Sequence, residues 1–331
     1  MDASFDYLNK YLSRLDAYLQ RPDVIELSIN ADGRIWTEVA GQTHMTPVDD
    51  APLTQNEIKD LAHQFANRQQ ITLNETTPLL SASVDYQDMS LRAQAVIPPA
   101  SLNGHILSFR VFRPRAGGEP RKFKFLRDIG ISLEDERTKT IKNAMREAEG
   151  GNEDAFLQMV IDNKLNAVIS GGTSTGKTEL GRRLLWMVPD CERILTIEDS
   201  AELLPRQLNV VGLMAEKIEN SNRSAGKLLQ AALRLRPDRI ILGEVRGQEA
   251  ATFVEAINTG HSGSFTTLHA DSARKALDRL ALMILSTGTR LEYTDVIRYL
   301  KGSIDVIIQT GRSGSDRGIQ EVWFPKEDAS A

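Results

Sequence analysis

The sequence has 331 residues, 41% of them hydrophobic and 26% charged, and this length favours two domains because one core rarely grows beyond about 250–300 residues. The net charge of -5 argues against nucleic acid as the main partner, and the single cysteine excludes a disulfide framework and a four-cysteine zinc site. No apolar run approaches the about 18–20 residues that span a bilayer, and the start of the chain lacks the apolar region of a signal peptide. We therefore expect a cytoplasmic protein whose membrane attachment, if any, is peripheral.

The first 113 residues predict a small α+β domain. Apolar residues at steps of three and four over 5–19 predict a helix that packs either on its own domain or on a neighbour or membrane; they are Phe5, Leu8, Leu12, Leu15 and Leu19. Two strands are predicted over 24–39, followed by a helix that begins with a capping box of Thr54 and Glu57. Three more strands are predicted at 79–84, 91–97 and 106–112.

The stretch 114–130 has prolines, glycines and clustered positive charge, which is typical of an interdomain linker. It is either a solvated tether or a contact with anionic lipid or a partner. Residues 131–162 are mostly helical in character, with a break at Gly150-Gly151. A second domain is thus predicted over 131–331.

A phosphate-binding loop is predicted near the start of this second domain. The apolar residues 167–169 predict a buried strand, and Gly171 to Thr178 then fit G-x-x-x-x-G-K-[ST], followed by a helix over 179–187. Glycines let the backbone approach an anion, and the helix presents its positive end to the same place. Lys177 supplies a cation for the β- and γ-phosphates and Thr178 a hydroxyl for Mg²⁺. The predicted nucleotide-binding residues of this loop are Gly172, Thr173, Ser174, Thr175, Gly176, Lys177, Thr178 and Glu179.

Strand-like and helix-like runs alternate after the loop, which indicates a largely parallel sheet covered by helices on both faces. The predicted strands are 194–197, 240–242, 264–268 and 306–309, and the predicted helices are 224–235, 248–258, 272–285 and 294–301. In such sheets, ligands bind beyond the carboxyl ends of the strands, where the phosphate-binding loop lies.

Three stretches offer residues for hydrolysis. In TIEDSAEL, Glu198 and Glu202 follow a strand, and either of them could position metal or water, although acids also suit a helix N-terminus. In IILGEVRG, an apolar strand delivers Glu244, which suits a general base on water but could be an ordinary strand-end charge. In GHSGSFTTLHA, His269 ends a strand, where it is either a γ-phosphate sensor or a buried, hydrogen-bonded histidine.

Taken together, GGTSTGKT, TIEDSAEL, IILGEVRG and GHSGSFTTLHA resemble, in order and spacing, the motifs of the bacterial secretion ATPase superfamily. LRAQAVIPPA and SFR look like the end of that family's N-terminal domain. Among its members, the chain is most similar to the traffic ATPases of type IV secretion, which are short chains with one N-terminal domain. Pilus retraction ATPases remain an alternative, and type II secretion ATPases usually carry a zinc element that one cysteine cannot make.

The resemblance implies a RecA-like P-loop NTPase domain at the C-terminal end, a smaller α+β N-terminal domain and a homo-hexameric ring. It also implies that Arg92 and Arg110 reach the phosphates of ATP, that Glu202 is the carboxylate of the acid box TIEDSAEL and that Glu244 is catalytic. Apart from the resemblance, the position of Glu198 after a strand makes it a candidate for a water-mediated Mg²⁺ contact. The expected cofactors are ATP and Mg²⁺, and the expected partners are secretion-channel components at the inner membrane, where the ring would be peripheral. The rival hypotheses are a ring nucleic-acid translocase and a nucleotide-gated scaffold without useful turnover.

Overall fold

The computed structural model describes residues 3–114, 123–126, 130–218 and 221–328. Most of the predicted linker, and the side chain of Phe5, lie outside the described residues. None of the described helices is long and apolar enough to cross a membrane.

The helices and strands of the first half of the chain follow the predicted order, with an additional short strand at Thr46–Pro47 that was not predicted. They are α1 Ala3–Leu12, a 3-10 turn Ser13–Leu15, α2 Asp16–Leu19, β1 Val24–Ile29, β2 Ile35–Val39, β3 Thr46–Pro47, α3 Gln55–Arg68, β4 Leu79–Tyr86, β5 Met89–Val96, β6 Ile106–Phe112, α4 Leu133–Glu149 and α5 Glu153–Asp162. The capping box predicted at the start of α3 is present, with Thr54 and Glu57 bonded reciprocally.

The second half alternates strands and helices. Its elements are β7 Ala167–Ser170, α6 Lys177–Met187, β8 Ile194–Glu198, β9 Val210–Met214, α7 Ala225–Ala232, β10 Arg239–Leu242, α8 Glu249–Asn258, β11 Phe265–Leu268, α9 Ala273–Leu285, α10 Tyr293–Ser303, β12 Val306–Ser313 and β13 Asp316–Trp323. The sequence did not predict β9 and β13.

Contacts divide the chain into two compact units. The first unit combines Met1–Pro114 with Pro189–Gly243, and the second combines Arg115–Val188 with Glu244–Ala331. This grouping differs from the predicted bounds 1–113, 114–130 and 131–331, because residues 189–243 group with the N-terminal residues. The predicted domain bounds therefore remain an untested prediction.

The first unit contains a six-stranded antiparallel sheet in the order β3-β2-β1-β6-β5-β4. Along β4, buried and exposed residues alternate, which is the pattern of a sheet with one solvated face. Leu8, Leu12, Leu15 and Leu19 are buried in one core with Phe65 of α3 and Phe109 of β6. The N-terminal stretch therefore packs on its own unit, as the first of the two interpretations predicted, although a 3-10 turn interrupts the predicted single helix.

Three parallel strands, in the order β10-β8-β9, complete the first unit. All residues of β8 and β10 are buried, as expected for strands covered on both faces. The second unit orders its strands β13-β12-β7-β11. There β11 and β12 run parallel to β7, and β13 returns antiparallel to β12.

Candidate active site

The predicted phosphate-binding loop lies in the second unit, between β7 and α6. Gly176 has a φ of +96°, a left-handed conformation that favours glycine, and no side chain caps the start of α6 there. The first-turn N–H groups of α6 are therefore available to an anion. A Cβ on Gly171 would collide with the hydroxyls of Thr310 and Thr175, so only glycine fits at this position of the loop.

Lys177 lies at the centre of the loop. Its Nζ donates to the carbonyl oxygens of Gly171 (2.9 Å) and Gly172 (2.6 Å) and lies 3.4 Å from Nδ1 of His269. Burial lowers the pKa of Lys177, and the charge of Glu244 opposes that shift. A buried ammonium whose other partners are neutral carbonyls and imidazole is well placed to pair with phosphate.

His269 links Lys177 to Glu244. Its Nε2 lies 3.2 Å from Oε1 of Glu244. Because an ammonium only donates, Nδ1 accepts from Lys177, and Nε2 then carries the proton that is donated to Glu244. Burial lowers the pKa of His269, and Lys177 lowers it further. The neutral imidazole therefore bridges a cation and a carboxylate.

Glu244 is held on its other side by Arg246. The Arg246 Nε donates to Oε2 of Glu244 at 2.8 Å, and its Nη2 lies 2.5 Å from the same oxygen. The backbone that carries Glu244 is fixed because the N–H of Val245 donates to the carbonyl of Thr267 in β11 (2.9 Å). A carboxylate oriented from two sides and one-fifth exposed can accept a proton from water.

Thr178, the residue predicted to contact Mg²⁺, is half-buried at the second position of α6. Its place directly after Lys177, at the start of an uncapped helix, fits a hydroxyl that faces a metal–phosphate group. Glu179 is exposed, and its nearest charged partner is Arg182 (3.3 Å). Thr173 and Ser174 are exposed, and Thr175 donates to the carbonyl of Gly172 (3.0 Å).

Glu198 and Glu202, two acids of the TIEDSAEL stretch that we call the acid box, lie in the first unit. Oε1 of Glu198 accepts the backbone N–H groups of Glu202 and Leu203, both at 2.9 Å, and burial raises the pKa of Glu198. Glu202 itself is exposed. Glu198 thus closes the turn after β8, while Glu202 presents its carboxylate outward.

Arg92 and Arg110, also in the first unit, are direct cross-strand partners in β5 and β6. Both are exposed. Like charges directly opposite each other destabilise a sheet. Because cross-strand partners point to the same side of a sheet, both arginines lie on one exposed face.

Some site residues were not predicted. Arg246 lies in the GEVRG stretch, but the sequence alone does not predict its contact with Glu244. Thr310 of β12 places its hydroxyl 2.8 Å from that of Thr175, and Gln309 donates to the carbonyl of Ala270 (3.1 Å). No local pattern marks these two residues, because their partners are distant in sequence.

A strand–loop–helix phosphate site with a buried lysine and an oriented carboxylate defines the class of P-loop nucleoside triphosphate hydrolases. The family model described as "Type II/IV secretion system protein" matches residues 102–312. The chain belongs to this family of secretion ATPases, as the motifs predicted.

Related proteins support the assignment over nearly the whole chain. The type IV secretion system protein VirB11 of Brucella suis is 32% identical over 96% of this chain and 90% of its own length. The protein PtlH of Bordetella pertussis is 32% identical over 97% of this chain and 95% of its own length. The crystal structure of the Brucella suis VirB11 ATPase in complex with sulphate aligns with a TM-score of 0.82 at 28% identity, covering 98% and 96% of the two chains. This match confirms the predicted α/β class with a RecA-like P-loop domain.

Proposed function

We propose that this protein is a Mg²⁺-dependent ATPase motor that powers substrate transfer or pilus assembly by a type IV secretion system. The observation that carries the proposal is the hydrogen-bonded series Lys177–His269–Glu244 beside an uncapped helix N-terminus. The names of the relatives support the pathway, and the sulphate in the related structure is a tetrahedral anion like phosphate.

The loop and Lys177 bind the triphosphate. N–H groups at the start of α6 donate to phosphate oxygens, and Lys177 exchanges its carbonyl partners for the β- and γ-phosphates. Bound Mg²⁺, held by Thr178 and, through water, by Glu198, would neutralise the charge that develops on the phosphates. The hydroxyl of Thr178 fits this role, because it directly follows the lysine of the loop, where the motif places a Mg²⁺ ligand.

Glu244 accepts the proton of the attacking water. His269 donates its Nε2 proton to Glu244 and accepts from Lys177, so it connects the base to the lysine that holds the phosphate. Loss of the γ-phosphate changes the partners of Lys177 and hence the position of His269. This is the physical basis for a histidine that reports hydrolysis.

Arg92 and Arg110 are proposed as phosphate contacts and Glu202 as the acid-box carboxylate. The paired, exposed guanidinium groups support the first role, since an anion removes their mutual repulsion. The exposure of Glu202 and its fixed backbone support the second.

The proposed assembly is a cytoplasmic homo-hexamer that works peripherally at the inner membrane with secretion-channel components. The similarity to VirB11 proteins over nearly the full chain supports this proposal. No specific nucleic-acid binding is proposed, given the net charge of -5.

The proposal is tested with purified wild-type protein and a Lys177→Ala variant. We expect wild-type ATP hydrolysis that stops on removal of Mg²⁺, and a variant that binds ATP at least about tenfold more weakly because a charge-assisted contact is lost. Arg298→Ala, which removes an exposed surface charge, is the control. Tight nucleotide binding without turnover would favour a scaffold, and strong salt-dependent stimulation by single-stranded DNA would favour a nucleic-acid motor.

A further inference from the structure

A cavity of about 320 Å³ lies beside the phosphate-binding loop in the second unit, and we call it the side cavity. It is lined by Gly172, Thr173, His269, Ala270, Asp271, Lys275 and Arg279. The first two belong to the loop, and Lys275 and Arg279 come from α9. The side cavity is therefore lined both by the phosphate-binding loop and by two cations, Lys275 and Arg279, that lie outside the sequence motifs.

Arg279 is fixed at the wall of the side cavity. Its Nη1 donates to the backbone carbonyl of His269 (2.9 Å). Among the described residues, no other hydrogen bond or ion pair involves its guanidinium group, so the remaining N–H donors are free to bind an anion. Lys275 pairs with Asp271 at 3.2 Å, but both side chains are largely exposed, so this ion pair is weak and the lysine can turn toward a ligand.

The positive potential of this region also acts on His269. The pKa of His269 is lowered first by burial and next by Lys177, with smaller contributions from Arg279 and Arg246. Since Arg279 donates to the backbone of His269 and lines the same cavity as Gly172 and Thr173, an anion bound to Arg279 would also lie close to the phosphate-binding loop.

We propose that the side cavity binds the orthophosphate product of hydrolysis, with Arg279 as its principal cation. The proposal rests on the proposed function, since the product is formed at Lys177 and Glu244. In that reaction, the water oxygen bonds to the γ-phosphorus, and the bond from this phosphorus to the bridging oxygen breaks. The bridging oxygen keeps the electron pair on ADP, and the proton of water passes to Glu244. Orthophosphate then moves past Gly172 and Thr173, which line both places.

The guanidinium group suits this ligand. A planar fork of N–H donors matches two oxygens of a phosphate, and a lysine nearby adds charge without fixed geometry. Asp271 lines the same cavity, but its single carboxylate is outnumbered by the two cations Lys275 and Arg279, so the cavity keeps a net positive charge.

Titration calorimetry of orthophosphate into protein saturated with ADP and Mg²⁺ tests the proposal. The variants are Arg279→Ala and Arg279→Lys, with Arg298→Ala as the control on an exposed surface. We expect Arg279→Ala to weaken orthophosphate binding by about 10- to 100-fold, which is the loss of one or two charge-assisted hydrogen bonds. Arg279→Lys should retain a larger part of the affinity, and ADP affinity should stay within about twofold in all variants. Product inhibition by orthophosphate should weaken in parallel.

Unchanged orthophosphate affinity in Arg279→Ala would overturn the proposal. So would a loss of ADP affinity as large as the loss of orthophosphate affinity, because Arg279 would then only support the backbone of His269. Failure of the motor proposal is seen separately, as a wild-type protein that binds both ADP and orthophosphate but does not hydrolyse ATP.

Discussion

His269 lies between Lys177 and Glu244 and contacts both of them. Its two ring nitrogens face Lys177 and Glu244, and this arrangement requires the neutral ring with its proton on Nε2. A second proton, on Nδ1, would face the Lys177 ammonium. Acid pH should therefore break the Lys177–His269 contact before it breaks the His269–Glu244 contact.

This geometry predicts the acid limb of the pH–rate profile. Because the folded protein lowers the pKa of His269 below its ordinary 6.5, the neutral ring persists as pH falls through that value, and protonation occurs only at lower pH. Wild-type ATP turnover should thus reach half its plateau below pH 6.5. His269→Asn should reduce turnover by about 10- to 100-fold and lose this limb, while His63→Asn in the first unit should keep it. A wild-type half-point above pH 6.5 would contradict the assignment.

Thr310 supports the loop from β12. Its hydroxyl lies 2.8 Å from that of Thr175 and donates to the carbonyl of Ser170 (3.0 Å). Thr310→Val keeps the shape but removes the hydrogen bond to Ser170, at about 1 kcal/mol, so nucleotide affinity should fall about three- to tenfold. Thr310→Ser, which retains the hydroxyl, should bind nucleotide as the wild type does in a fluorescence titration. Equal weakening in both variants would assign the effect to packing.

The sequence could predict the residues whose types and spacing are dictated by phosphate chemistry, such as Lys177, Thr178 and Glu244. It could not predict Thr310, because Thr175 and Thr310 are 135 positions apart and meet only when β12 pairs with β7. The sequence also could not predict the role of Arg279, because its contact with the His269 backbone depends on how α9 follows β11.

At the scale of elements, strong local signals predicted the fold well. The apolar strands β7, β8, β10, β11 and the first half of β12, and the helices α8 to α10, lie where their patterns indicated. The two strands of the second half that the sequence did not predict, β9 and β13, lack such patterns. β9 is short and contains Gly212, and every residue of β13 is at least partly exposed, so both depend on pairing with a neighbour rather than on their own propensity.

A buried polar cluster joins β1 to residues 189–243 within the first unit. Arg193 is fully buried and donates to the carbonyl of Leu235 (2.9 Å) and to the side chain of Asn30 (2.8 Å). Nearby, burial raises the pKa of Glu26 to about 7, with a further contribution from Glu38 and opposition from Arg193. The cost of burying a charge makes this cluster sensitive to pH.

Glu26→Gln should therefore change how the stability of the first unit depends on pH. The folded protein binds the Glu26 proton more tightly than the unfolded chain does, so its stabilising effect is complete below pH 4.5 and is lost as pH rises through about 7. The neutral glutamine avoids this loss. The free energy of unfolding of the variant minus that of the wild type should therefore increase from pH 5 to pH 8, by up to about 3 kcal/mol in urea titrations. A larger value means that the variant is the more stable protein at pH 8. Parallel curves at both pH values would show that Glu26 is already charged at pH 5.

At the scale of the whole molecule, the two units contribute different chemistry. The second unit contains the phosphate-binding loop, His269 and Glu244, and the first contains the arginine pair and the acid box. Under the proposed function, residues of both sets respond to ATP, and the proposed roles of the first set can be tested by mutation. Arg92→Ala should accordingly lower ATP turnover at least about tenfold, and Arg68→Ala, a change at the end of α3, serves as the control.

The proposed ring makes a prediction about mass. Six copies of the 36.8 kDa chain give a particle of about 220 kDa, and ATP bound to a hydrolysis-deficient variant should favour the closed ring. Mass photometry of the Glu244→Gln variant with and without ATP and Mg²⁺ measures this directly. A particle that stays monomeric at micromolar concentration with ATP would contradict the hexamer.

The most direct test of the central claim compares ATP turnover and ATP affinity in Glu244→Gln. If Glu244 is the base that accepts the proton of the attacking water, turnover should fall by about 10²- to 10⁴-fold while ATP affinity stays within about threefold of wild type. Glu255→Gln, an exposed carboxylate on α8, should behave as the wild type in both measurements. Wild-type turnover in Glu244→Gln would contradict the account.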